Sequence, residues 1–184
     1  RKMAVRDIVI YGHPVLRMKS KPITEMDEFI HTLVEDMIET MIMAEGIGLA
    51  APQVAEPISL FVVNSGLIVE GAPPKAYINP VIMEESGTVT LEEGCLSIPD
   101  IREDVTRPES IKIKYLDLKG KEHIEQCDDM LARVLQHEID HLNGILFIDR
   151  ISQIKRKLLS KRLKKLAIEG KSYSQNVAES KVGL

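Results

Sequence analysis

Two histidines four residues apart, with a glutamate directly after the first, are the residues of this sequence best placed to do chemistry. They are His137 and His141, with Glu138 between them, in the stretch QHEIDHLNG at residues 136–144. On an α-helix both imidazoles would lie on one face, one turn apart. Two imidazoles at this spacing can bind one metal ion, and the neighbouring glutamate can act as a base. The stretch therefore predicts a metal site, and a third ligand decides what the metal does.

The third ligand must come from upstream of this pair. In metalloproteases with the same HExxH spacing, a further ligand follows the helix. Here no histidine follows His141, and the only later glutamates, Glu169 and Glu179, lie in a basic segment and in the C-terminal tail. The upstream candidates are Cys95, Cys127, His13, His31 and His123.

Of the two cysteines, Cys95 is the better candidate. Cys127 precedes His137 by ten residues, and on a continuous helix this separation is about 15 Å along the axis, whereas ligands lie about 2.0–2.3 Å from a metal. Cys95 follows Gly94 in LEEGCLSIP at residues 91–99, and a glycine lets the backbone turn and approach closely. The three candidate histidines lie in a turn, in a charged segment and on an apolar helix, where ordinary surface or core roles are expected.

A site made of Cys95, His137 and His141 would have an open fourth position for water. Without the two histidines, a lone cysteine would be interpreted as a small buried apolar residue. One thiolate and two imidazoles suit Fe(II), Zn, Co or Ni rather than Mg or Ca. The ligand set therefore predicts a transition-metal centre that can activate water.

Apolar patterns predict the elements that must position these residues. A helix is expected from Thr24, an N-cap with Asp27 three residues on, to Gly46. GIGLAAPQ at 46–53 is typical of a tight loop or a sheet edge where the backbone comes close to another group. The remaining elements expected are strands at 58–63, 76–83, 110–118 and 123–126, the last two forming a hairpin, and a histidine helix from near Cys127 to Gly144.

Length and composition are those of one globular domain. The 184 residues carry a formal net charge of −4, which gives no overall attraction to nucleic acid or membrane, and no apolar run approaches the roughly 18 residues of a membrane-spanning helix. With two cysteines and no secretory pattern at the start, reduced thiols in a cytosol are expected. Residues 1–169 are predicted to form a single catalytic domain ending in a basic helix at 151–169, followed by a flexible tail at 170–184.

Three separated motifs together resemble those of peptide deformylases, which remove the N-formyl group from nascent bacterial and organellar polypeptides. They are GIGLAAPQ at 46–53, EGCLS at 93–97 and QHEIDHLNG at 136–144, and the likeness extends from YGHPVLR at 11–17 to the basic helix. The short connection between the first two motifs resembles the compact bacterial type. The resemblance implies an α+β fold, with antiparallel sheets packed around a central metal-binding helix. It also implies Fe(II) as the working metal, readily replaced by Zn, Ni or Co, on the same three ligands.

The resemblance and the residue types together assign roles in formyl hydrolysis. The metal would lower the pKa of a bound water that attacks the formyl carbon. Glu138 would accept a proton from that water and pass it to the leaving amine. The side-chain amide of Gln53 and the backbone N–H of Leu96 would donate to the developing oxyanion. Gly48 has no side chain that would obstruct the backbone of the substrate, so the two backbones could lie close together.

A cleft for the methionine of the substrate is expected around the same motifs. The residues expected to bind substrate or shape this cleft are Gly46, Ile47, Gly48, Glu93, Gly94, Arg133 and Val134. Ile47 and Val134 would line a narrow apolar pocket, with the stem of Arg133 at its rim and the guanidinium in water. Arg107 is expected either to contact solvent or to orient Glu93.

The basic helix at 151–169 has two open interpretations. Its lysines and arginines can form the solvated face of a packed helix, or they can neutralise the phosphates of RNA. The resemblance implies docking on the ribosome, and a monomeric, bacterial, cytoplasmic enzyme that acts on formyl-methionyl nascent peptides away from membranes. Two other functions are also compatible with the residues: an HExxH zinc endopeptidase, and a structural metal site in a ribosome-binding module.

Overall fold

The first helix follows from the apolar pattern, with shifted ends. The computed structural model describes the backbone of residues 4–182 and the side chains of residues 4–171. Helix α1 (Glu28–Met43) begins after Asp27, whose carboxylate accepts the N–H of Ile30 at 3.0 Å. The expected N-cap at Thr24 and the expected end at Gly46 are therefore wrong. Asp27 caps the helix because its side chain satisfies one of the unpaired N–H groups of the first turn.

Within residues 4–182, seven strands form two antiparallel sheets. They are β1 (Gly48–Ala50), β2 (Leu60–Val63), β3 (Lys75–Ser86), β4 (Val89–Cys95), β5 (Ile98–Arg107), β6 (Ser110–Leu116) and β7 (Glu122–Asp128). The main sheet has the order β1-β2-β3-β6-β7, and β4 pairs with β5 alone. Strands β2, β3, β6 and β7 confirm the four predicted ones, and GIGLAAPQ supplies the short edge strand β1. The α+β fold with antiparallel sheets is thus confirmed.

The main sheet lies between two helices, α1 and α2 (Asp129–Leu142). On β2, Leu60 and Val62 belong to the core cluster that contains α1, whereas Phe61 and Val63 belong to the cluster that contains α2. The alternation arises because successive side chains of a strand point to opposite faces. This packing places the histidine-bearing helix directly against the sheet.

The β4–β5 hairpin packs beside α2 and was not predicted from the sequence. Glu93, a charged residue, is the only fully buried residue of β4, so no apolar alternation marks it as a strand. Cys95 is the last residue of β4. Apolar residues of β5, including Ile98 and Ile101, share a core cluster with Phe147 and with the C-terminal helix. This second cluster supports the strand that ends in Cys95.

Helix α3 (Gln153–Val182) is longer than the basic helix expected at 151–169. Its backbone stays helical through most of the segment 170–184, which was expected to be a tail, and residues 183–184 lie outside the described part. Leu159 and Leu163 anchor α3 in the cluster of β5.

A close approach of two backbones holds α3 against the N-terminal segment. A Cβ added to Gly12, whose φ is +104°, would lie 2.3 Å from the carbonyl oxygen of Ala167. A Cβ added to Gly170 would lie 2.3 Å from the carbonyl oxygen of Tyr11. Both positions therefore require glycine. Of the helices in the described part of the chain, none combines the length and the apolar character needed to cross a bilayer.

Candidate metal centre and active site

The predicted Cys-His₂ set converges where the end of β4 meets α2. One ligand atom from each of Cys95, His137 and His141 lies within 4.8 Å of the other two. Cys95 Sγ lies 3.3 Å from His141 Nε2. The two imidazoles are one helical turn apart, and their centroids are separated by 5.0 Å. These distances are those of three donors arranged around one small cation.

The two imidazoles have opposite pKa shifts, so His141 is ready to bind a metal whereas His137 must release a proton when a metal binds. Burial, reinforced by the charge on His137, lowers the pKa of His141 well below its ordinary value, and the neutral imidazole is the form that binds a metal. His137 Nδ1 lies 2.9 Å from Glu93 Oε1, which leaves Nε2 as the donor to a metal. Burial opposes a charge on His137, but hydrogen bonds with Cys95 and Glu93 raise its pKa well above the usual value. A soft thiolate with two imidazoles suits Fe(II), Zn, Co or Ni.

Cys127 is absent from this group, as predicted, but for a different reason. It lies in β7 rather than in the histidine helix, so the separation along a helix axis does not apply. Its side chain is buried between the main sheet and α2. Burial raises the pKa of this thiol to about 11, and a protonated thiol is a poor ligand.

Glu93 orients His137 and is itself held by two arginines. Arg107 Nε and Nη2 donate to Glu93 at 2.6 and 2.9 Å, and Arg133 Nη1 donates at 2.5 Å. Burial opposes ionisation of Glu93, but these contacts and His137 hold its pKa well below its usual range. The expectation that Arg107 orients Glu93 is therefore confirmed.

Arg133 departs from the expectation of a guanidinium in water. Only 4% of the residue is exposed. Its guanidinium donates to Glu93 and to the backbone carbonyls of Val89 and Val105. Three acceptors on the β4–β5 hairpin thus replace solvent, which the sequence around Arg133 does not reveal.

Glu138 is a buried carboxylate beside the ligands. It is 3% exposed, and its Oε2 has no hydrogen-bond partner among the described residues. Burial raises its pKa to about 7, so a proton can be gained or lost near neutral pH. Gly48 lies against it: a Cβ at residue 48 would approach Oε1 to 2.7 Å. The close approach expected for GIGLAAPQ is therefore an approach to Glu138.

Gln53 lies beside the sulfur with a fixed orientation. Its Oε1 accepts the N–H of Ala50 at 2.9 Å, and its Nε2 donates to Ser97 Oγ at 3.1 Å. The same Nε2 lies 3.6 Å from Cys95 Sγ. Leu96 follows Cys95 in the turn between β4 and β5. The side-chain amide of Gln53 is therefore fixed beside the sulfur of Cys95.

A cleft of about 830 Å³ opens onto this centre. Its lining includes every residue expected to bind substrate or to stabilise the oxyanion, together with two of the three ligands and Glu138. These residues are Gly46, Ile47, Gly48, Gln53, Glu93, Gly94, Cys95, Leu96, Arg133, Val134, His137 and Glu138. The remaining residue of the predicted ligand set, His141, is 1% exposed and does not line the cleft. The arrangement gives a peptide access to one side of the metal group.

Comparison with known proteins agrees with this geometry. A family model described as polypeptide deformylase matches residues 5–157. The chain belongs to the peptide deformylase family. It is 48% identical over 168 residues to the peptide deformylase of Brucella suis biovar 1 (strain 1330), across 90% of this chain and 95% of that protein. It is 45% identical over 166 residues to that of Mesorhizobium japonicum, across 90% and 94%.

Solved deformylase structures share the whole fold. A peptide deformylase from Legionella pneumophila superposes with a TM-score of 0.82 at 39% identity, covering 88% of this chain and 95% of that one. The enzyme of Thermus thermophilus gives 0.84 at 38%, covering 92% and 99%. That of Ehrlichia chaffeensis in complex with actinonin gives 0.82 at 40%, covering 89% and 98%. As a deformylase, this chain is a metal-dependent hydrolase that deformylates nascent peptides during protein biosynthesis.

Sequence reasoning missed several residues of the deformylase cleft. The apolar side chains of Leu67, Leu91 and Met130 also line it. Met130 lies one helical turn before Val134, so helical spacing could have identified it. Ser97, which holds Gln53, lies within the EGCLS motif. Leu91 begins the stretch LEEGCLSIP that contains Cys95, whereas Leu67 comes from a distant segment that no local pattern marks.

Proposed function

We propose that this deformylase removes the formyl group from the N-terminal formyl-methionine of nascent polypeptides and releases formate. The observation that carries the proposal is the convergence of Cys95, His137 and His141 with the unpaired carboxylate of Glu138 at one end of an open cleft. A metal ion held by these three donors supplies a Lewis acid that lowers the pKa of water. Fe(II) is the proposed native metal, with Zn, Ni or Co as substitutes, because this donor set accommodates all four.

Glu138 is proposed to move the proton in both halves of the reaction. Its buried Oε2 accepts a proton from the attacking water, and the protonated acid then donates to the leaving amine. A pKa raised to about 7 suits both tasks, because neither form is strongly disfavoured near neutrality. Gly48 leaves room for the carboxylate in this position.

Gln53 and Leu96 are proposed to stabilise the oxyanion. The formyl oxygen becomes negative as water adds to the carbon, and donors that are already in place act without reorganisation. Ser97 and Ala50 fix the Gln53 amide. The backbone N–H of Leu96 follows the Cys95 ligand directly, so the two donors can face one oxygen beside the metal.

The apolar part of the cleft is proposed to select methionine. Ile47 and Val134, with Leu91 and Met130, present an apolar lining beside the metal group. An unbranched thioether side chain fills such a pocket without leaving a polar group unpaired. Gly46 and Gly94 shape the neighbouring walls.

The alternatives named by the sequence are not favoured. A structural metal site would be closed by four protein ligands, whereas the described residues bring together three donors beside an open cleft. A zinc endopeptidase would cleave internal peptide bonds of unformylated chains. Formyl transfer to water needs only the first residue of the chain to enter the cleft.

The exposed face of α3 supports a proposal about the partner. Lys157, Lys161, Lys164 and Lys165 are exposed, next to the exposed apolar residues Ile154 and Leu158. Such a face can neutralise RNA phosphates. This supports the proposal that the enzyme docks on the ribosome, and the family resemblance is the ground for proposing a monomer in the bacterial cytoplasm.

The proposal is tested by formate release from formyl-Met-Ala-Ser with the Fe(II)-loaded protein. Expected results are rapid release, loss of activity with a chelator, and recovery when the metal is restored. Acetyl-Met-Ala-Ser and Met-Ala-Ser are the matched controls. Equal cleavage of a peptide bond in the unformylated control would favour an endopeptidase, and unchanged formate release from the stripped protein would contradict the metal site.

A further inference from the structure

A closed ring of side chains joins α2 to the β4–β5 hairpin. His137 on α2 contacts Glu93 on β4 at 2.9 Å, and Arg107 on β5 donates two hydrogen bonds to Glu93. Arg107 Nη1 also donates to Asp140 Oδ2 at 2.9 Å. Because His137 and Asp140 lie one turn apart on α2, the helix itself closes the ring.

This ring controls the geometry of the metal ligands. His137 and Asp140 attach α2 to the hairpin at two points one turn apart, which adds to the contacts of Arg133 in fixing the rotation of the helix. Cys95 lies two residues after Glu93 on the same strand. The ring therefore sets where the thiolate of Cys95 meets the imidazoles of α2, and partners of ligands are known to tune metal affinity in this way.

Arg150 holds the ring from outside. Its Nε and Nη2 donate to Asp140 at 2.5 and 2.7 Å, one bond to each carboxylate oxygen. The side chain of Arg150 is 42% exposed, whereas those of Asp140 and Arg107 are 9% and 2% exposed. Asp140 thus has a solvent-facing cation on one side and a buried cation on the other. Without Arg150, the carboxylate would keep only its bond to Arg107 among these contacts.

We propose that Asp140 and Arg150 are positioning residues that set the metal-binding geometry of the deformylase through Arg107 and Glu93. The inference rests on the proposed function of Cys95, His137 and His141 as ligands. Neither residue lines the cleft, and the side-chain hydrogen bonds that connect them to His137 run through Arg107 and Glu93.

The decisive comparison is Arg150→Gln against Arg156→Gln. Arg156 is a matched control because its side chain is 41% exposed and pairs with Asp149 instead of Asp140. The protein is loaded with cobalt(II), and its visible spectrum and the rate of cobalt release to EDTA are measured. Arg150→Gln should shift the thiolate-to-cobalt band and release cobalt about three- to tenfold faster, since direct partners of ligands change affinity by 10–100-fold and Arg150 is more distant. Arg156→Gln should keep the wild-type spectrum and release rate.

Two further variants separate the effect of the Asp140 charge from the effect of the two hydrogen bonds that Arg150 donates. Asp140→Asn keeps the shape but removes the charge that holds Arg107, and should release cobalt about tenfold faster. Arg150→Lys keeps a cation but loses the two-pronged contact with the carboxylate, so its release rate should lie between those of the wild type and Arg150→Gln. Melting temperatures of the metal-free proteins report the purely structural cost of each change.

Equal cobalt release from Arg150→Gln and Arg156→Gln, with unshifted spectra, would overturn the inference. This holds even if Asp140→Asn does not fold, because the Arg150 side chain is 42% exposed and substitutions at the surface rarely prevent folding. Failure of the wild type to bind cobalt would instead overturn the proposed metal site itself. The two failures are therefore distinguishable in one set of measurements.

Discussion

Gly48 lies directly against Glu138: a Cβ at residue 48 would approach Oε1 of that carboxylate to 2.7 Å. The glycine of the edge strand β1 therefore sets the position of the proposed proton carrier on α2. Gly48→Ala should push the carboxylate away and lower kcat by about 10²-fold, because small misplacements of a catalytic group are costly. Metal content should stay unchanged. A Gly48→Ala/Glu138→Gln double variant no slower than Glu138→Gln would show that both changes act on one group, whereas additive losses would contradict this relationship.

Removal of the Glu138 carboxylate should abolish nearly all turnover without removing the metal. Glu138→Gln and Glu138→Ala are expected to keep the metal, because the three donors are untouched, and to lose about 10²–10⁴-fold in kcat. Formate release from formyl-Met-Ala-Ser and elemental analysis of the same samples provide the check. Near-normal turnover in either variant would refute the role proposed for Glu138.

The two cysteines should behave in opposite ways. Cys95→Ala should lose the metal or the activity, since it removes one of three donors. Cys127→Ala should retain both and lose about 1 kcal/mol of stability, as is usual for a small buried truncation. Metal analysis and denaturant unfolding of the two variants test this pair. A fully metallated, active Cys95→Ala protein would rule out the assigned ligand set.

The Arg17–Asp149 ion pair should make stability depend on acid pH. Burial opposes ionisation of Asp149, but hydrogen bonds from Arg17, the Leu146 N–H and Arg156 lower its pKa to about 2, below its ordinary value of 3.8. A lowered folded-state pKa contributes stability above about pH 3.8, and the contribution is lost as the pH falls through about 2. Both side chains are partly exposed, so Asp149→Asn should cost only about 1 kcal/mol at pH 7.

Urea unfolding of the wild type and of Asp149→Asn across this pH range measures that difference. The difference between the free energies of unfolding of the two proteins should be constant from pH 7 to about pH 5 and should decrease toward zero near pH 2. A difference in free energy of unfolding that stays constant down to pH 2 would show that the charge of Asp149 contributes nothing to stability.

Charge reversal on α3 should separate ribosome binding from chemistry. Lys157→Glu/Lys161→Glu should weaken binding to ribosomes by about tenfold or more at low salt, with a smaller difference at high salt because the attraction is to phosphates. Lys119→Glu, on the exposed β6–β7 turn, is the control of the same chemistry. Hydrolysis of free formyl-Met-Ala-Ser should be unaffected in both. Ribosome affinity that neither variant changes would remove α3 as the docking surface.

The three proposed metal ligands could be predicted largely from the spacing of residues in the sequence. The i, i+4 spacing of His137 and His141 places both imidazoles on one face of any helix, whatever surrounds it. The lack of a histidine after His141 then directs the search upstream, to Cys95. The alternation in β6 likewise predicts a strand, because a half-buried strand repeats every two residues. Each of these features depends on positions that are close in the chain.

Contacts between distant segments could not be predicted from local residue spacing. Nothing near Arg133 reveals that Val89 and Val105 supply the carbonyls that bury its guanidinium. Strands β4 and β5 lack apolar alternation and form because they pair with each other beside α2.

The sequence by itself predicted the three donor residues, the helix that carries two of them and the class of metal that such donors suit. Only the tertiary structure decided that Gly48 faces Glu138, that Ser97 holds Gln53, and that Glu93 and Asp140 share Arg107. The physical reason is that spacing along a helix or strand fixes which residues share a face, whereas packing between elements selects the partner that each face meets.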